Sequence, residues 1–140
     1  MSRIFWDANI FIYMFEAEGD TGERARALRL AMIRRGDQLL TSALALAEIL
    51  VKPMQKGALE ACECYERAIG AAATVLKFDA GHARTFARIR SQASVRSADA
   101  VHLSCAAVAG VDLFVTGDAH LQGLHVPGIQ FIAPLTRVPL

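Results

Sequence analysis

The feature that most restricts this chain lies at residues 3–15, R-I-F-W-D-A-N-I-F-I-Y-M-F. Ile4, Phe5 and Trp6 form a bulky apolar run suited to a strand buried on both faces. Asp7 follows at once, so that strand ends in a carboxylate. A charge at the end of a buried strand is unfavourable unless something uses it. In open α/β sheets the carboxyl ends of the strands are also where ligands bind. The question the sequence poses is which other acids reach Asp7.

Strand and helix signals alternate along the rest of the chain. A short helix is expected from Asn9 to about Phe15. Gly19, Asp20 and Gly22 predict a turn, with Asp20 or Thr21 capping a helix over 23–35 that Gly36 closes. Gln38, Leu39 and Leu40 read as a second strand. Thr41 or Ser42 then caps a helix over 43–51, which Pro53 ends or kinks. Helices are further expected over 58–69, from about 80 to 92, and over 98–109. Strands are expected over 74–76, 112–115 and 129–132, with an irregular tail from Pro134. The alternation predicts one α/β domain over 1–140, with a mainly parallel sheet and helices on both faces.

Composition narrows the function classes. The chain has 140 residues, 54% of them hydrophobic, and a net charge of +1. It can build a real core, and it cannot grip nucleic acid by bulk charge, only by a local patch. Its three cysteines, Cys62, Cys64 and Cys105, form no C-x-x-C pair. With no signal-peptide pattern at the N-terminus, this points to a reduced, cytoplasmic chain. No apolar run approaches the roughly 18 residues of a membrane helix.

Four acids stand out at element ends: Asp7, Glu48, Asp99 and Asp118. Glu48 lies in S-A-L-A-L-A-E-I-L-V, apolar on nearly every side of its helix. Asp99 lies in S-A-D-A-V-H-L-S-C-A-A, in the first turn of a small-residue helix, and Asp118 ends F-V-T-G-D. In a parallel sheet, strand carboxyl ends and the first turns of the following helices share one edge. Asp7, Asp99 and Asp118 can converge there, with Glu48 entering from one turn deeper. Four carboxylates that close do not all stay ionised without a cation. They are hard oxygen ligands that suit Mg²⁺ or Mn²⁺, and such a site is the apparatus of a metal-dependent nuclease. Taken singly, each has an ordinary explanation: a helix cap for Asp7, the macrodipole for Asp99, a turn for Asp118, a buried arginine partner for Glu48. Only their joint placement argues for chemistry.

These segments resemble the PIN domain, and most closely the VapC-type toxins of bacterial toxin–antitoxin pairs. The matching pieces are F-W-D-A-N-I-F-I-Y, T-S-A-L-A-L-A-E-I-L-V, S-A-D-A-V-H-L-S-C-A and D-L-F-V-T-G-D-A-H-L, in the family's order. The resemblance implies a three-layer α/β/α fold with about five strands. It implies a Mg²⁺- or Mn²⁺-dependent endoribonuclease leaving 5′-phosphate and 3′-hydroxyl ends. Asp7 and Asp99 would then bind the principal metal, Glu48 would act through water or orient the nucleophile, and Asp118 would complete the site. Asn9 and Thr116 would support these ligands or orient substrate. The resemblance also implies an RNA substrate, a homodimer and a small antitoxin. Gly117 departs from the family, which often carries Asn or Arg there.

Other polar residues carry less. His102, one turn beyond Asp99, reads first as a core or supporting histidine. His82, His120 and His125 show no ligand spacing. Lys52, Lys56, Arg90 and Arg96 are candidates to line an RNA groove, Arg96 above all, though each singly is an ordinary surface charge. The arginines of 24–35 suit a solvated helix face, with antitoxin or dimer contact as the minor reading. Asp79 and Asp112 need only turn roles. Two alternatives remain: a PIN-like binding module without turnover, and a phosphoacceptor domain built on Asp7. The second lacks an acid at Asn9 and any lysine after Lys77.

Overall fold

In a computed structural model describing residues 1–140, five parallel strands run in the order β3-β2-β1-β4-β5. They are β1 (Arg3–Trp6), β2 (Gln38–Ser42), β3 (Thr74–Leu76), β4 (Leu113–Thr116) and β5 (Phe131–Pro134). The helices are α1 (Ala8–Glu16), α2 (Gly19–Arg35), α3 (Ala43–Gln55), α4 (Leu59–Ala72), α5 (Ala83–Gln92) and α6 (Ser97–Ala109).

Strand alternation sorts the core into two layers. Ile4, Trp6, Leu39 and Val115 pack with Phe11, Leu28, Met32, Ile49 and Ile69 from α1 to α4. Phe5, Leu40 and Phe114 face the other way, onto Ile89 of α5 and Ala100, Leu103 and Ala106 of α6. Phe5 and Phe114 stack across β1 and β4 with ring centroids 4.8 Å apart. The result is the expected α/β/α sandwich.

The strand order places the site. The chain steps outward from β1 to β2 to β3, then returns to lay β4 on the other side of β1. Crossovers diverge at such a point, leaving a crevice at the carboxyl ends of the two strands. Asp7 follows β1 and Asp118 follows β4.

Several boundaries differ from the sequence expectations, each for a local reason. Helix α2 begins at Gly19 and not after a turn at Gly22. Gly22 lies inside the first turn because a Cβ there would meet the Ala17 carbonyl oxygen at 1.9 Å. Helix α3 runs through Pro53 to Gln55, and Lys56 N still donates to Lys52 O beyond it. Burial of the Pro53 ring accompanies the missing donor. The turn comes at Gly57, whose φ of +68° suits glycine. The helix expected from residue 80 opens as a 3-10 turn, Ala80–His82, where Asp79 accepts from Gly81 N. Strand β5 lies two residues later than expected, since Ile129 is buried as a loop anchor beside Val126. The cysteines are all free thiols, and burial pushes Cys105 up to about 11. No helix is long and apolar enough to cross a membrane.

Candidate active site

Asp7 is held from three sides. Its backbone N donates to Val115 O at 3.0 Å, extending the β1–β4 pairing. Its Oδ1 accepts from Ala8 N at 2.8 Å, so the carboxylate caps α1. Its Oδ2 accepts from the Thr116 hydroxyl at 2.8 Å. The residue is only 5% exposed. Burial raises its pKa above the ordinary carboxylate value, although His102 and the bonds from Thr116 and Ala8 pull the other way. Asp99 adds a further upward push. The cap reading of Asp7 is thus correct as far as it goes, but a cap alone needs no such burial.

Thr116 ties the loop after β4 to this carboxylate. Its Oγ1 also accepts from Asp118 N at 3.0 Å. Asn9, in the first turn of α1, accepts from Gly117 N at 3.0 Å. The loop bearing Asp118 is thereby clamped by the two residues that were expected to support the acids. Gly117 has its own explanation: a Cβ there would meet the Tyr13 hydroxyl at 2.6 Å. Tyr13 of α1 fills the room a side chain would take.

Helix α6 opens beside this loop. Arg96 is its N-cap residue without a side-chain cap bond, and Asp99 sits in its first turn. The Arg96 side chain, 81% exposed, lies across both acids: Nε is 3.3 Å from Asp99 Oδ2 and Nη2 is 3.8 Å from Asp118 Oδ2. These residues border a groove of about 480 Å³ with His120 and Val95.

One turn further along α6, His102 is 1% exposed. Its Nδ1 lies 2.7 Å from Ser42 Oγ, and its Nε2 lies 2.6 Å from Glu48 Oε1 and 3.9 Å from Asp7 Oδ1. Ser42 accepts from Ala45 N and caps α3, so in the neutral ring its hydroxyl donates to Nδ1 and Nε2–H donates to Glu48. Burial lowers the His102 pKa, but the Glu48 bond and the charges of Asp7, Glu48 and Asp99 outweigh it and leave the ring above its ordinary value.

The four acids therefore do not form one tight ring. Glu48, His102 and Asp7 offer donor atoms all within 4.8 Å of one another. Asp99 and Asp118 are joined to them through Arg96 and Thr116. Glu48 is also more open than a packed helix suggests, with 40% of its side chain exposed. His102 does more than its place in the sequence suggests. It is buried like a core histidine, yet it stands between two of the acids. Its spacing of three from Asp99 was the available signal, and its pairing with the α3 cap was not visible without the fold.

The donor set fits a hard divalent cation. Asp7 has a carboxylate whose ionised form the chain alone does not fully compensate, as its raised pKa records. Glu48 and His102 offer donors within 4.8 Å of it, and Asp99 and Asp118 border the adjoining groove. An octahedral ion about 2.1 Å from each oxygen spans ligands up to roughly 4.2 Å apart. The Asp7, Glu48 and His102 donor atoms, all within 4.8 Å of one another, lie close to that span.

Not all expected groove residues reach this edge. Lys52 and Lys56 sit at the far end of α3 from Ser42. Arg90 donates to Val95 O and Ser97 Oγ, bracing the loop before α6. The arginines of α2 are not simply solvated: Arg24 holds the Leu135, Thr136 and Val138 carbonyls, and Arg26 holds those of Met14 and Ala17.

The fold is shared with solved toxin–antitoxin structures. The chain resembles VapBC2 from Rickettsia felis bound to a promoter DNA fragment, with a TM-score of 0.75 at 13% identity over 94% of this chain and 98% of that one. It resembles FitAB bound to the IR36 DNA fragment, at 0.71 and 18% identity over 98% of both chains. It also resembles Mycobacterium tuberculosis VapC20, a sarcin–ricin loop cleaving toxin, at 0.67 and 14% identity over 83% of this chain and 90% of that one. At these identities the likeness is one of fold. No curated protein matches by sequence. The family model of the PIN domain matches residues 4–125, and the chain accordingly belongs to the PIN domain family.

Proposed function

We propose that this protein is a Mg²⁺- or Mn²⁺-dependent endoribonuclease and the toxin of a toxin–antitoxin pair. The observation that carries the reading is the meeting of Asp7, Glu48, Asp99 and Asp118 at one sheet edge, each delivered by a different segment. Asp7 and Asp99 would hold the ion with Glu48 and Asp118, directly or through water. Such an ion, when bound, neutralises charge on a phosphodiester and makes water more acidic.

The chain's own groups do the rest. Thr116 fixes the Asp7 carboxylate and the Asp118 backbone together. His102 holds Glu48 through Oε1, and the Glu48 side chain, 40% exposed, lies at the open side of the cluster where an attacking water would be aligned. Arg96 is placed to meet a phosphate once it leaves Asp99 and Asp118. Attack by water, and not by the ribose 2′-hydroxyl, leaves a 5′-phosphate and a 3′-hydroxyl.

Toxin–antitoxin complexes among the structural relatives support a small antitoxin partner here. A homodimer and a cytoplasmic setting complete the proposal.

The test is incubation of purified protein with total RNA and Mn²⁺, with Asp7→Asn and an EDTA arm alongside, followed by mapping of product ends. Metal-dependent cuts with 5′-phosphates, absent from Asp7→Asn, are expected. Equal cleavage by Asp7→Asn, or cleavage surviving EDTA, ends the idea. RNA binding without turnover under either metal supports the binding-module alternative.

A further inference from the structure

The chain between Asp79 and Asp99 carries four arginines, Arg84, Arg88, Arg90 and Arg96, and no acid. It forms α5 and the loop that leads into the acid cluster. Two of the arginines are already engaged, Arg90 with the loop and Arg96 with the acids. Arg84 and Arg88 are exposed and have no ion pair or side-chain hydrogen bond. Thr85, Arg88, Ile89 and Gln92 fall on one face of α5 at helical spacing and line a groove of about 230 Å³. Its other wall is the segment 123–127, including His125.

The lining of this groove adjoins, along the chain, that of the groove at the acids. On one side the chain passes from Gln92 through Ala93 to Arg96. On the other it passes from Asp118 and His120 through Leu121 to Gly123. Leu121 and Val126 are buried in the same core as Ile89, so both walls are anchored to one body. The outer face of α4, by contrast, exposes Glu60, Glu63 and Glu66 with a single arginine, Arg67. A polyanion whose scissile phosphate reaches the acids is repelled by them on either side unless cations neutralise its neighbours.

We infer that the groove between α5 and the 118–127 segment is the track that carries single-stranded RNA away from the cleavage point, with Arg88 and His125 on its flanking phosphates. The inference rests on the ribonuclease reading. Both side chains meet phosphates, so they add affinity without choosing bases.

The test is binding of a labelled single-stranded RNA by fluorescence anisotropy in EDTA, over a salt series. The proteins are wild type, Arg88→Gln/His125→Gln, and Lys56→Gln as a charge-removing control at the far end of α3. The double variant is expected to bind roughly tenfold more weakly at low salt, with a slope of log affinity against log salt shallower by about 0.7 for the phosphate that Arg88 neutralises. Lys56→Gln is expected to match wild type. In Mn²⁺, the double variant's deficit in cleavage should grow with RNA length, being largest for substrates that extend along α5. Unchanged affinity and slope, or an equal weakening in Lys56→Gln, would overturn the track. Weakened capture of a protein partner with RNA affinity intact would overturn it too. Failure of every protein to cut RNA would remove the nuclease reading, while the EDTA binding arm would still decide the track.

Discussion

His102 and Glu48 lie 54 residues apart in the chain and meet at 2.6 Å, with Ser42 on the far side of the imidazole. The ring is held above its ordinary pKa of 6.5 by carboxylates that overcome its burial. A raised histidine contributes stability that is fully present below its unfolded value and lost as pH rises through its folded value. The metal-free protein should therefore lose stability as pH climbs above 6.5. Glu48→Gln removes the Glu48 charge that helps to raise the ring, and this slope should flatten. The effect is about 1 kcal/mol, discounted because Glu48 is partly exposed. Urea unfolding in EDTA across this pH range decides it, and parallel curves for the two proteins would sink the account.

Asp7→Asn should abolish RNA cleavage while keeping the fold. The Asp7 carboxyl is raised by burial, so the folded state binds a proton more readily than the unfolded one. Its unfavourable contribution grows as pH rises above 3.8 and is complete above the raised folded value. Asn removes that contribution and keeps an oxygen for Ala8 N. A gain of about 1 kcal/mol is expected at neutral pH, shrinking toward pH 4. Thermal unfolding at the two pH values checks both the sign and the trend.

Gly117 and Gly128 make a contrasting pair. A Cβ on Gly117 meets the mobile end of Tyr13, whereas one on Gly128 meets the Ala107 carbonyl oxygen at 2.5 Å, at a φ of +99°. Gly117→Ala should displace the Tyr13 ring and change stability by less than about 1 kcal/mol. Gly128→Ala should cost about 2 kcal/mol or more, through strain and a clash with rigid backbone. Denaturant midpoints measure both, and a larger loss at Gly117 would mean that Tyr13 is locked in place.

Arg96→Gln should alter metal response more than stability. The arginine is largely exposed, so its pairs with Asp99 and Asp118 are worth about 0–1 kcal/mol. Removing this cation from the acids should enlarge the rise in melting temperature that Mn²⁺ produces. An unchanged or smaller rise would show that Arg96 does not compete for the metal position.

Much of this was legible because the signals were local. The run Ile4–Trp6 fixes a buried strand, and the β/α alternation fixes its parallel neighbours, so Asp7, Asp99 and Asp118 fall on one edge almost by necessity. Asn9 and Thr116 were legible only through the family resemblance, and the structure gives both a physical task. His102 was harder. Its role depends on α3 and α6 packing side by side, a long-range fact that spacing does not encode. Glycine and proline misled in the ordinary way: Gly22 and Pro53 read as breakers, yet close packing keeps both inside helices.

The site draws one acid each from beyond the ends of β1 and β4, from the body of α3 and from the first turn of α6, and no two of its acids are neighbours in the chain. The pairing of β4 with β1 is needed to assemble it. Strand β4 is the last but one to leave the ribosome, and only when it slots beside β1 does Asp118 find Asp7. A chain cut anywhere before residue 113 lacks both β4 and Asp118, so it cannot close the cluster.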